Sequence, residues 1–216
     1  MKYNNILILS FIIFVCFTSC SNKECDCLNK TASEELPEEY KNLVNKAIFE
    51  FHGKYYEENN IVYLDSALFL LNQAVRLYPK LLPAYYYKSI VYESKGDLLS
   101  TIEIIDSALK NSYPNPDMLF LKARALDHLG RTKEADNTLI EADALYSQWI
   151  NCYPDSINLI GAKIDFTAYY KGKKEALKEA NKYIEKYPDN DFLVGLRDFI
   201  SEEPYGYEIM RKGQTY

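Results

Sequence analysis

A pattern that returns about every 34 residues constrains this chain more than any other feature. A small residue, a large apolar residue four later, a small residue three later and then a proline appear as Ala67, Leu71, Ala74 and Pro79. The same order returns at Thr101, Ile105, Ala108 and Pro114, at Ala135, Leu139, Ala142 and Pro154, and at Ala176, Ala180, Tyr183 and Pro188. The copies begin 34, 34 and 41 residues apart, and the third copy has seven extra residues before its proline. Steps of four and three follow one face of a helix, and self-similarity at such a period marks a repeat array. Seven residues are about two helical turns, so the third repeat keeps its phase while its second helix is predicted to run longer.

Upstream of each small residue lies a second helical pattern. It reads Tyr85-x-x-Lys88-Ser89-x-x-Tyr92 followed by Gly96, and Leu119-x-x-Lys122-Ala123-x-x-Leu126 followed by Gly130. Gly96 and Gly130 are again 34 apart, where a helix would end in a left-handed cap. Together the two patterns resemble the tetratricopeptide repeat (TPR) family, in which a bulky residue, a small one and an aromatic mark the first helix and small-large-small-proline marks the second. The resemblance covers residues 38 to 188. It implies an all-α, helix-turn-helix solenoid of about four repeats over residues 37–202, in which the small residues Ala67, Ala108, Ala135 and Ala142 let helices approach closely. The first repeat is looser, with G-K-Y-Y-E-E-N-N between its helices, and the fourth carries Ala180 and Tyr183 in exchanged sizes. Asp191 to Ser201 carries Phe192, Leu193, Leu196, Phe199 and Ile200 at helical spacing and is expected to form a C-terminal capping helix.

The N-terminus has a different character. One lysine, an apolar stretch from Ile6 to Phe17, and then Thr18, Ser19 and Cys20 give residues 1–19 the outline of a signal peptide. About a dozen apolar residues are too few to span a bilayer core of roughly 30 Å as a stable helix. Phe17-Thr18-Ser19-Cys20 resembles a bacterial lipoprotein lipobox, which implies cleavage before Cys20 and lipidation of its sulfur. An ordinary secreted protein cut nearby is the alternative. Two or more acyl chains exceed the marginal anchoring of one. Ser21 rather than Asp after the lipid site implies an outer-membrane address, and Lys23-Glu24 with Asp26 faintly resembles a surface-export signal, so periplasmic and surface-facing placements both stay open. Residues 20–36 are expected to be a linker, Pro37 suits the first turn of a helix, and residues 203–216 form a tail.

Composition removes several functions. The chain is 48% hydrophobic and 26% charged with a net charge of -6, and loss of residues 1–19, whose only charged side chain is Lys2, makes it -7. Phosphate neutralisation needs clustered Lys and Arg, so nucleic-acid binding is not expected. His52 and His128 lie 76 residues apart, and the adjacent Asp127 and His128 point about 100° apart on a helix, so neither histidine is expected to be catalytic and both read as solvent-facing polar residues. Cys25-x-Cys27 has too short a spacing for a zinc site, and its thiols are open to pairing with each other, with a partner or with nothing. Cys152 reads as a small core residue at a helix end. No phosphate loop or calcium loop is present, so no cofactor or metal is expected.

Tyrosine is abundant, 20 of 216 residues, and Tyr85, Tyr86 and Tyr87 cannot all face one core stripe. In TPR arrays the first helices line a concave surface. Stepping by the period puts Tyr86, Phe120 and Gly161 on one row, Ile90, Arg124 and Asp165 on a second, and Glu93, Asp127 and Ala168 on a third, with His128 and Tyr169 beside it. These rows suit a protein partner, a peptide or helix with apolar anchors and a basic group. On the alternative reading Tyr86 and Phe120 pack between repeats and Arg124 with Asp165 is a surface ion pair of little worth. The function these features imply is a lipid-anchored protein-interaction scaffold of the bacterial envelope, not an enzyme. Two alternatives are an outer-membrane assembly lipoprotein resembling the TPR component of barrel-assembly machinery, and a small carbohydrate-binding or enzymatic protein using exposed tyrosines.

Overall fold

A computed structural model describes residues 36–111 and 114–202. The expected signal segment 1–19, the expected lipidation site Cys20, Cys16, Cys25, Cys27, the Lys23-Glu24 and Asp26 charges and the tail 203–216 lie outside the described residues. Every element among the described residues is helical. The described residues divide into two compact units, one up to Ala142 and one from Asp143 onward.

In the first unit, α1 (Glu38–Asn45) follows Pro37, whose carbonyl accepts from Lys41 N at 3.0 Å. Glu38 and Glu39 in its first turn favour the positive end of the helix dipole. The chain continues through a π-helical segment, Lys46–His52, into α2 (Gly53–Glu58). The stretch expected to separate the helices of the first repeat is therefore helical as far as Glu58. The break falls at Asn59, which takes the left-handed conformation (φ 51°) open to Asn at low cost. Gly53 weakens a helix interior by about 1 kcal/mol relative to Ala, and the packing of His52 and Tyr55 on either side offsets it.

Next come α3 (Val62–Leu77), α4 (Leu82–Ser94), α5 (Leu98–Asn111) and α6 (Pro116–His128). Each packs on its neighbour in the chain, and α4 also packs on α6. Ala67, Ala74 and Ala108 are fully buried, as the close approach of helices requires. Gly96 and Gly130 adopt φ 73° and 72°. After each, an amide reaches back to close the helix, Asp97 N to Tyr92 O and Arg131 N to Leu126 O, both at 2.9 Å. The N-terminus of α4 is completed from another helix: the hydroxyl of buried Tyr40 on α1 accepts the Ala84 amide at 2.8 Å and donates to Leu81 O at 3.3 Å.

The unit boundary falls within α7 (Thr132–Cys152). This helix runs 21 residues where α5 runs 14, so the seven extra residues of the third copy extend it. The second unit continues with α8 (Ile157–Tyr170), α9 (Lys173–Lys186) and α10 (Asp191–Glu202). The apolar stripe of α10, Leu193, Leu196 and Ile200, is buried against Ile160, Ile164, Ala176 and Ala180.

Candidate functional site

Within the first unit, the structure brings the α4 and α6 members of the expected rows together. Arg124 Nη2 lies 2.9 Å from Glu93 Oε1, with the two side chains 27% and 19% exposed, and its guanidinium stands 5.8 Å from the centre of the Phe120 ring. Arg124 thus pairs with a carboxylate on α4. Glu93 Oε1 has no directed hydrogen bond and is shielded from solvent, so charge rather than alignment holds the contact. Phe120 is buried. Ile90 and Asp127 are half-buried and His128 is exposed. Tyr86 meets Tyr87 edge-on at 5.4 Å.

The three consecutive tyrosines divide by helix geometry. Tyr85 enters the core and its hydroxyl donates to Pro79 O at 3.0 Å. Tyr86 and Tyr87 stay half-buried, and burial pushes the Tyr87 phenol up to about 12.

A polar cluster that the sequence rows did not reveal joins the end of α2 to the end of α4. His52 Nε2 lies 3.1 Å from Ser94 Oγ, the Tyr56 hydroxyl lies 3.4 Å from the same oxygen, and the Tyr55 hydroxyl donates to Ser94 O at 3.5 Å. His52 is buried, which corrects the solvent-facing expectation, and desolvation lowers its pKa to about 4. The Ser94 hydroxyl donates to Ile90 O at 3.0 Å. The serine has a single proton, and Ile90 O and His52 Nε2 both stand within reach of it. The missed signal is the phase shift that the π-helical segment introduces, which turns His52 inward.

The α8 members belong to the second unit. Asp165 is half-buried and Tyr169 is buried. Gly161 is buried, and a Cβ there would stand 2.4 Å from Phe192 Cε1 of α10. This unit also contains an ion cluster that the rows did not single out. Lys163, 5% exposed, hydrogen-bonds Asp143 of α7 and stands 4.7 Å from the Phe166 ring centre and 5.5 Å from that of Tyr146. Lys171 reaches the same carboxylate at 2.8 Å. Burial opposes the Asp143 charge, but the hydrogen bonds from Lys163 and Lys171 outweigh it and hold the carboxyl below its ordinary range.

Lys163 has counterparts. Lys122 occupies the same place in α6 and pairs with Asp106 of α5, while Lys88 occupies it in α4. A lysine thus recurs at this helical position in α4, α6 and α8, and in α6 and α8 it pairs with an aspartate of the preceding helix.

Among the described residues no three His, Cys, Asp or Glu side chains converge as metal ligands. No protein-family model, curated protein or solved structure matches this chain.

Proposed function

We infer that the chain is a TPR-type scaffold, lipid-anchored through Cys20 in the bacterial cell envelope, that binds another protein along the face formed by the first helix of each repeat. The observation that carries this reading is the run of contacts in the first unit that links α2 to α4 by side chains and packs α4 on α6. Tyr56 with Ser94 joins the end of α2 to α4, and Glu93 with Arg124 joins α4 to α6. In TPR arrays that face lines a concave groove. Here it offers half-buried aromatic rings beside a charged pair, an arrangement with contact area and orientation but no poised nucleophile or base. Packing of neighbours in sequence, the capping glycines and the periodic Lys-Asp contacts support the repeat assignment. The disulfide on Cys152 supports a compartment outside the reducing cytosol.

Site-specific photocrosslinking in cells tests the reading. A crosslinker at Ile90 or Asp127 is expected to give a discrete adduct with one protein, and Phe120→Ala with Arg124→Ala is expected to reduce recovery of that protein more than it lowers stability. Adducts only from Phe69 or Ile140, exposed on the second helices, would move the binding face elsewhere. Palmitate labelling tests the anchor separately: Cys20→Ser is expected to abolish it.

A further inference from the structure

One face of α3 packs into the core and the opposite face is left uncovered. Val62, Asp65, Phe69, Asn72 and Arg76 are all exposed, and at 100° per residue they fall within about 80° of one another around the helix. Val62 is 60% exposed and Phe69 63%. The repeat does not ask for these apolar residues. Phe69 stands two residues after Ala67, and the same place after Thr101 on α5 and Ala135 on α7 holds Glu103 and Asn137, both polar and exposed. We propose that a second copy of this chain covers the stripe, with the two α3 helices antiparallel about a two-fold axis that passes beside Phe69 and Asn72.

The charges select this occupant. Asp65 stands in the first turn of α3 and Arg76 in the last, 11 residues or about 16 Å apart along the same stripe. Asp65 stays 61% exposed although it also holds Lys95 of α4. Arg76 is exposed and joins no ion pair among the described residues. A two-fold antiparallel pairing sets Asp65 of each copy opposite Arg76 of the other, so one patch is complementary to itself. Parallel helices would instead oppose Asp65 to Asp65 and Arg76 to Arg76. The same operation lays Phe69 of each copy against Asn72 of the other and brings the two rings to the axis. Positions 62, 69 and 76 with 65 and 72 also follow the seven-residue spacing of helices that meet along a seam. A single helix pair buries less than the roughly 1,200 Å² of a stable interface, so the pairing is weak in dilute solution.

Sedimentation equilibrium of the detergent-extracted full chain, over a concentration series, tests this. The wild type is expected to shift from monomer to dimer, and Phe69→Glu to stay monomeric with an unchanged thermal melt, because that side chain is exposed. Arg76→Asp turns both cross-pairs into like-charge contacts and is expected to weaken dimerisation about tenfold, while adding Asp65→Lys to it restores the pairing. Failure of that rescue, or a wild type that is monomeric at every concentration, overturns the proposal. A photocrosslinker at Asn72 in cells is expected to give an adduct of twice the chain mass, in which the tryptic peptide 55–76 is joined to itself with fragment ions at Phe69. An adduct to lipid or to a different protein overturns it as well and gives the stripe to that occupant.

Discussion

The Phe192 ring occupies the space that a side chain at Gly161 would need, with Cε1 2.4 Å and Cζ 2.7 Å from the position of a Cβ. The approach joins α8 to α10 and explains a glycine in the middle of a helix. Helix propensity alone would favour alanine there by about 1 kcal/mol. Overpacking costs about 1–3 kcal/mol and is the larger effect, because Phe192 is itself packed against the buried cluster of α8, α9 and α10. Gly161→Ala is expected to lower stability by about 1 kcal/mol in urea denaturation. In a Phe192→Leu background the same change is expected to be neutral or stabilising. An equal loss in both backgrounds would remove Phe192 as the cause.

The His52 and Ser94 contact gives a pH signature of its own. The folded-state pKa of about 4 lies below the ordinary 6.5, so the unfolded chain takes up the proton first as pH falls. The stability that neutral His52 confers is fully present above pH 6.5 and is lost progressively down to about pH 4. Over that window the loss is of the order of 3 kcal/mol. His52→Gln is expected to flatten the stability profile between these limits, whatever its effect at neutral pH. An unchanged slope would place the histidine in solvent.

How much of this was legible differs between the repeats. The period, the capping glycines and the lengthened α7 could be read because each follows from local spacing: Gly96 and Gly130 sit where only a left-handed residue closes the helix, and seven residues preserve helical phase. The first repeat was misread because Gly53 and the polar residues after it resemble a break, whereas tertiary packing carries the helix through to Glu58. The π-helical segment shifts phase by one residue, and no periodicity from the other repeats predicts it. The bond from Tyr40 to the Ala84 amide spans 44 residues and leaves no mark in any pattern. The rows placed Glu93 and Arg124 on neighbouring helices but not opposite one another, since spacing along a helix does not say how far a long side chain leans.

The Lys163 and Asp143 pair acts in a lower pH range than His52. Because hydrogen bonds hold the Asp143 carboxyl below its ordinary value, its stabilising effect is present above that value and disappears as pH falls through the lower, folded-state one. Asp143→Asn at neutral pH leaves Lys163 charged and buried between Tyr146 and Phe166. A loss of about 3 kcal/mol is expected. The difference from the wild type should shrink in acid below pH ~4, and Lys163→Met added to Asp143→Asn should recover most of the stability. A double variant as unstable as the single one would show that the lysine stem, not its charge, holds the site.

The repeated lysine position has one place where the carboxylate is missing. Lys122 meets Asp106, 16 residues earlier, and Lys163 meets Asp143, 20 residues earlier on the longer helix. Sixteen residues before Lys88 stands Asn72 on α3. Burial lowers the Lys88 pKa, and its ammonium stands 5.7 Å from the Tyr92 ring centre. Asn72→Asp therefore supplies the third member of the series. It is expected to raise the Lys88 pKa, read by NMR of the labelled ammonium, and to stabilise the protein by about 0.5 kcal/mol, the scale of a partly exposed ion pair. Desolvation at Lys88 opposes its charged form in the wild type, so the gain should appear near neutral pH and fade as acid protonates the new carboxylate. A double-mutant cycle with Lys88→Met separates the pair from any change in helix propensity. Zero coupling would mean that α3 and α4 do not share the geometry that α5 and α6 show, and the lysine position would then be a coincidence of spacing.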